Sequence, residues 1–439
     1  MPKLIDAGKV AETRRRQIFS ASVATLVGQF VRIGGGLLVV PVLLGRFGVE
    51  QYGFIAYIVS LMTIFVLLES VLTPVLRNEL VKARVIGSSP RIEESLTVGL
   101  TAAMVLMGLA LPLMAVLSMM NWNAILRIPN GLPATSAVLA GAFIGVLGAC
   151  TAFADCLYAA WNDLARLRIY ETIATACGLV AVLVMAKYGV DLVWVIVAMT
   201  IPVPAIRIMA WLTFVRRQRL RPRISVPTSI QFFHTHRGAS ISFAGTQALA
   251  CVASLFPLVL LNHSHGLADI TIYTVAQRLI GAPANLVVAL FPVFWPQIAR
   301  AWECGQHDWV SKALTRSSLV MVLGTVMATI AAYTLGPWFV DAWTKGSLVI
   351  SAPFLGLFAM LCGAQVIQNW LSTILNALGE FRYQFLCYAS LTLGCIVFGG
   401  LGLAALGLNG LALGLTLAVS LFGIAPMAIR ANARVHRSV

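Results

Sequence analysis

Charge is what this chain has least of. Asp, Glu, Lys and Arg make up only 11% of its 439 residues against 59% hydrophobic ones, and mean hydropathy is +0.89. That balance excludes a water-soluble globule and leaves a polytopic membrane protein. Other absences narrow its function. The chain has no P-loop, no dinucleotide fingerprint and no soluble insertion beyond the basic connection 216–237, so nothing in it is built to hydrolyse ATP and no cofactor is expected. The eight cysteines are scattered, mostly in apolar runs, without the paired spacing of a zinc site or a disulfide framework. They read as small packing residues, and no metal site is expected. "GGG" at 34–36 follows no strand, which makes it a flexible or close-packing point of a helix and not a phosphate cradle.

What remains is hydrocarbon. Apolar runs long enough to cross ~30 Å as helix recur along the whole chain. They lie near 17–44, 52–76, 95–120, 134–160, 167–187, 191–215, 238–262, 269–299, 313–335, 348–377, 382–404 and 408–430. Short "KYGVD" and "LGLN" turns separate neighbours near 188 and 405. The fold class is therefore an all-α integral membrane protein of about twelve spans. The polar segment before the first run ends in a basic cluster and shows no cleavage site, so the first run is expected to stay as a helix.

Lys and Arg orient these spans, because in short loops they collect on the cytoplasmic side. With a cytoplasmic N-terminus, clusters such as Arg77, Lys82, Arg84, Arg91 and Arg216, Arg217, Arg219, Arg221, Arg223, Arg237 all fall inside. Only Arg46, Arg127, Lys187 and Lys345 fall outside, and Arg32, Arg207 and Arg278 fall within spans. Both termini are thus expected in the cytoplasm. The net charge of +15 is a topology signal, since the basic residues sit at helix ends and form no aromatic-interleaved patch for nucleic acid. "SVPTSIQFFHTH", before the seventh run, is a candidate amphipathic element on the cytoplasmic interface, and its His234 and His236 read as solvated.

The polar residues inside the spans form stripes. Ser22, Thr25, Gln29, Arg32 and Gly36 share one face of the first helix at steps of three and four. Thr274, Arg278, Gly281 and Asn285 do the same in the eighth, and Ser240, Gln247 and Ser254 recur at heptad steps in the seventh. The tenth carries Gln365, Gln368, Asn369, Ser372, Thr373 and Asn376 on one face. A single stripe is explained by interhelical hydrogen bonds. Stripes on four helices, together with Pro41, Pro283, Pro292 and Pro296 in the same runs, suit a water-filled cavity and bending elements.

Depth sorts the intramembrane charges. Arg32 is near mid-membrane and Arg278 in the periplasmic half, whereas Glu69, Asp155, Glu171 and Arg207 lie in the cytoplasmic third. The latter group either pairs at the interface with Arg77, Arg166 or Arg168 or serves as gating or coupling residues. Deep arginines with no acid at their depth imply an anionic ligand, and guanidinium grips phosphate bidentately. A doubled architecture is also hinted at. "GVEQYGFIAY" opens the second helix and "GLADITIYTVAQR" the eighth, six spans on. The expected organisation is a six-helix lobe at 1–215, a basic cytoplasmic linker at 216–237 and a second six-helix lobe at 238–439, related by a pseudo-two-fold axis along the membrane normal.

"LLGRFGVEQYGFIAY", "LLESVLTPVLRNELVKAR", "IYTVAQRLIGAPANLVVALFPVFWPQIARAW" and "STILNALGEFRYQ", in that order, resemble the polysaccharide flippases of the multidrug/oligosaccharidyl-lipid/polysaccharide exporter superfamily. The resemblance covers nearly the whole chain. One departure is Glu69-Ser70, where relatives tend to carry an acid-glycine pair. It implies a non-enzymatic transporter of the bacterial inner membrane, with two lobes around a cationic cavity, alternating access, and an undecaprenyl-diphosphate-linked oligosaccharide as cargo. Membrane lipids, a polysaccharide polymerase and glycosyltransferases are the partners such a protein would have. Arg32, Arg278, Gln29, Thr25, Gln247, Asn285, Gln365, Gln368 and Asn369 are the expected substrate-binding residues. A cation-coupled drug exporter of the same superfamily would carry a carboxylate deep in the first or seventh helix, and neither has one. A membrane-embedded polymerase or ligase would need a large outer loop that the chain lacks.

Overall fold

The computed structural model describes residues 7–65, 67–68, 73–161, 163–291, 294, 298, 301–302 and 307–436, with side chains from residue 23 onward at most of these positions. Among them every regular element is helical. Nine described helices are long and apolar enough to cross a membrane. Their outward faces are what lipid requires: Val320, Met327, Leu335 and Trp338 of the helix His307–Thr344 are 68%, 71%, 62% and 72% exposed. A water-soluble surface does not carry such a face, and the chain is a multi-pass membrane protein.

The expected count of about twelve is not reached by this measure, for identifiable reasons. Segment Val23–Phe65 covers most of the first expected span and part of the second, and Arg382–Arg434 covers the last two. Each turns at a glycine in the left-handed region, Gly48 at φ 77° and Gly407 at φ 61°, where a Cβ would be strained. The expected eighth span is interrupted. Helix Leu267–Ala276 passes into a π turn, Gln277–Gly281, before Ala282–Val288. Pro283 lacks the N–H that would close the preceding turn, and widening that turn by one residue accommodates the proline ring. The same happens at Val419–Ile424, just before Pro426. Of the short breaks, Gly189 (φ 70°) caps Leu164–Tyr188 near the first expected turn.

The chain divides into two compact units, one of residues up to Val42 with Ile58–Gln247, the other of Leu43–Tyr57 with Ala248–Val439. In the first unit Leu76, Leu80, Leu96, Leu157, Phe214 and Phe232 form an apolar core at one end of the helices. Within "GGG" Gly35 is a packing point, since a Cβ there would collide with the Leu179 side chain, whereas Gly34 has open space around it. In the second unit the core gathers Phe291, Val310, Trp370, Leu371, Ile374 and Met427. Gly402 and Gly410 face each other's backbone across the Gly407 turn, so neither position has room for a side chain. The segment 226–237 is continuous with the helix that follows, Val226–Ser264, of which only Ala244–Ser264 is a candidate span.

Candidate functional site

In the second unit, helix Ala352–Ala377 presents Gln365, Gln368 and Asn369 to a cavity of about 310 Å³. Ser254 of Val226–Ser264, Gln277 of the π turn and Asn285 after it complete the polar lining, with Tyr273 and Tyr388 beside them. Among the described residues no charged one lines it. Amide side chains offer donors and acceptors together, so the cavity suits a neutral, hydroxyl-rich group or water. Ser372 and Thr373 of the tenth-helix stripe bond within the protein instead. Gln384 donates to Ser372, and the Thr373 hydroxyl donates to the Asn369 carbonyl at 2.9 Å.

Arg278 is not part of this lining. The wall of the cavity follows Tyr273, Gln277, Gly281 and Asn285: Gly281 and Asn285 belong to the expected stripe, but before the π turn the wall runs one residue behind it, because the extra residue of that turn changes the phase of the helix. Its guanidinium carbon instead lies 5.8 Å from the centre of the Tyr52 ring, within the same unit. That distance allows a cation–π contact. Among the described residues Arg278 has no carboxylate within salt-bridge range and donates to no backbone carbonyl. The carbonyls freed by Pro283 therefore do not hold it.

In the first unit Thr25 and Gln29 are half-buried, Arg32 is exposed and Gln247 is half-buried. Arg32 also has no carboxylate partner among the described residues. Glu69 lies outside the described residues. The other acids of the expected gating group are bound into one chain of ion pairs. Arg77 Nη2 is 2.9 Å from Asp155, Arg168 Nη2 is 3.0 Å from Asp155 and its Nη1 2.6 Å from Glu171, and Arg207 Nε is 2.7 Å from Glu171. Both carboxylates are buried, so each needs the compensation these pairs give. Arg166, the remaining expected partner, turns to Asp163 at 2.9 Å.

The second unit has its own ion cluster, which the amino-acid pattern did not single out. Glu380, buried just before helix Phe381–Ala418, accepts from Arg430 Nη2 at 3.0 Å and also pairs with Arg434. Burial pushes its carboxyl up, but hydrogen bonds from the two arginines outweigh this and hold it below the ordinary glutamate value. The visible signal was the spacing of Arg430 and Arg434, which share one helix face.

Solved structures share this architecture. An inward-facing multidrug-resistance MATE-family transporter of the MOP superfamily aligns over 95% of both chains at 10% identity with a TM-score of 0.67. The lipid II flippase MurJ, in an inward closed conformation, aligns over 94% of this chain and 87% of its own at 14% identity and a TM-score of 0.68. The Vibrio cholerae MATE transporter VcmN, in a point-mutant form, aligns over 98% of both chains at 16% identity and a TM-score of 0.63. The chain has the fold that these transporters share. No protein-family model and no curated protein matches the sequence. These neighbours are transporters and a flippase, not enzymes. Within that fold the described residues supply a neutral cavity in one unit and, in each unit, an arginine without a carboxylate partner among them.

Proposed function

We propose that this chain is a flippase that moves an undecaprenyl-diphosphate-linked oligosaccharide from the cytoplasmic to the periplasmic leaflet of a bacterial inner membrane by alternating access, with both termini cytoplasmic. The observation that carries this reading is the chemistry of the second unit. It combines a neutral, amide-lined cavity with Arg278, a guanidinium without a carboxylate. A cargo with a hydroxyl-rich body and an anionic head matches that pairing. Arg278, and Arg32 in the first unit, are the groups proposed to bind the diphosphate. Outward transfer of negative charge is favoured by an inside-negative potential at roughly 2.3 kcal/mol per charge per 100 mV, so no ATP is needed. Likeness to a lipid II flippase supports a lipid-linked cargo. A polymerase and glycosyltransferases would then act on either side of the step.

The second reading is a cation-coupled multidrug exporter, favoured by the likeness to MATE transporters. Among the described residues no carboxylate lines the cavity, which weighs against it, because a cationic drug finds no counter-charge in that lining. Expression in a bacterial strain lacking its own lipid-linked-oligosaccharide flippase separates the two. Restored surface polysaccharide with unchanged tolerance to cationic drugs is expected. Raised drug tolerance without restoration would overturn the proposal.

A further inference from the structure

The basic connection after helix Pro202–Arg217 plays no part in the transport chemistry above. Arg216, Arg217, Arg219, Arg221 and Arg223 are all exposed, and Arg237 follows three turns into the next helix. No acidic residue occurs between Asp191 and Asp269. Among the described residues none of the six arginines lies within salt-bridge range of a carboxylate, although Glu93 and Glu94 project from the helix that holds the loop.

The loop is fixed in place. The backbone N–H of Arg223 donates to the Thr97 hydroxyl at 3.2 Å and that of Ser225 to the Thr101 hydroxyl at 2.9 Å. Leu220 packs against the first unit's core, and Phe232 is buried in it. Next to the arginines, Ile224, Val226, Ile230, Phe233 and Ile241 are 60%, 48%, 54%, 36% and 62% exposed. Val226, Ile230, Phe233 and Ile241 keep helical spacing, so they form one apolar stripe. Arg237 sits on the same stripe, one turn before Ile241.

A loop that needed arginines only to orient a helix would not require this combination of pinned backbone, unpaired guanidinium groups and an adjoining apolar stripe. An anionic phospholipid meets all of it, with acyl chains along the stripe and phosphate at the arginines, each basic group contributing about 1 kcal/mol, or roughly a fivefold preference. We propose that segment 216–241 is a binding site for the headgroups of anionic phospholipids of the surrounding bilayer.

The test uses purified full-length protein in nanodiscs of phosphatidylcholine containing a minor fraction of photoreactive phosphatidylglycerol. Crosslinks mapped by peptide mass spectrometry are expected to concentrate on 216–241 over other basic segments such as that around Arg316. Photoreactive phosphatidylcholine at the same level should not show this bias. Arg219→Gln/Arg221→Gln/Arg223→Gln should lower phosphatidylglycerol capture at least about tenfold, and the corresponding lysine variant should keep most of it. If the glutamine variant fails to insert, the wild-type crosslink map still decides. An even distribution of crosslinks over all basic segments would overturn the proposal. So would full displacement of the lipid by millimolar inorganic phosphate, which would make the loop a site for free anions. Neither result bears on whether the oligosaccharide is the cargo.

Discussion

Arg278→Ala and Arg278→Gln are expected to lose nearly all transport of a lipid-linked oligosaccharide at normal membrane levels, while Arg278→Lys keeps part of it. The lysine keeps the charge but loses the planar fork that meets phosphate bidentately. The setting of Arg278 makes the expectation sharp. Its guanidinium lies over the Tyr52 ring and donates to no carbonyl or carboxylate among the described residues, so truncation leaves no buried acid uncompensated. Loss of the cation–π contact costs about 0.5–2 kcal/mol, too little to remove the protein from the membrane. Transport should be measured at matched protein levels in a strain without its own flippase. Wild-type rates for Arg278→Ala would sink the assigned role, and equal loss of folded protein for Lys and Ala would make the arginine structural.

Asp155 should behave in the opposite way. Asp155→Ala removes the carboxylate that holds Arg77 and Arg168, and leaves Arg168 with only Glu171. Breaking a buried ion pair by deleting one partner costs roughly 3–5 kcal/mol, and about 3 is expected here because the side chain of Arg77 is 44% exposed and can turn to water. The thermal midpoint in detergent should fall accordingly. Asp155→Asn/Arg168→Gln should cost less than the sum of the two single changes, since both remove the same ion pair. At matched levels of folded protein, potential-driven transport should persist in Asp155→Asn. If gradient-driven transport alone disappears, with the midpoint unchanged, Asp155 carries ion coupling instead of holding the unit together.

The contrast between these two residues shows what the amino-acid pattern could reveal. Both were visible as intramembrane charges, and Arg77 and Arg168 were visible as possible partners of Asp155. The link between Arg207 and Glu171, 36 residues apart, depends on how two helices pack, which spacing does not encode. The stripe at Gln365, Gln368 and Asn369 was legible because its helix keeps a regular period as far as the cavity. The stripe on the eighth span was legible only at Gly281 and Asn285, because the π turn at Gln277–Gly281 shifts the helical phase and brings Gln277 to the cavity in place of Arg278. Pro283 announced an interruption but not its form. The breaks at Gly48 and Gly407 were legible from glycine within short turn sequences, although helical segments that run up to them hide the joints from a count by length.

The central claim is that the cargo is a lipid carrying negative charge, and it is tested most directly with wild-type protein in proteoliposomes holding an undecaprenyl-diphosphate-linked oligosaccharide. Flipping should be measured as sugar newly accessible on the opposite face, under an imposed potential of either sign. The predicted result is protein-dependent flipping that accelerates when the side of origin is negative and slows when the sign is reversed, as two negative charges moving through the field require. No flipping of this lipid, together with protein-dependent movement of a cationic drug in the same vesicles, would contradict the account.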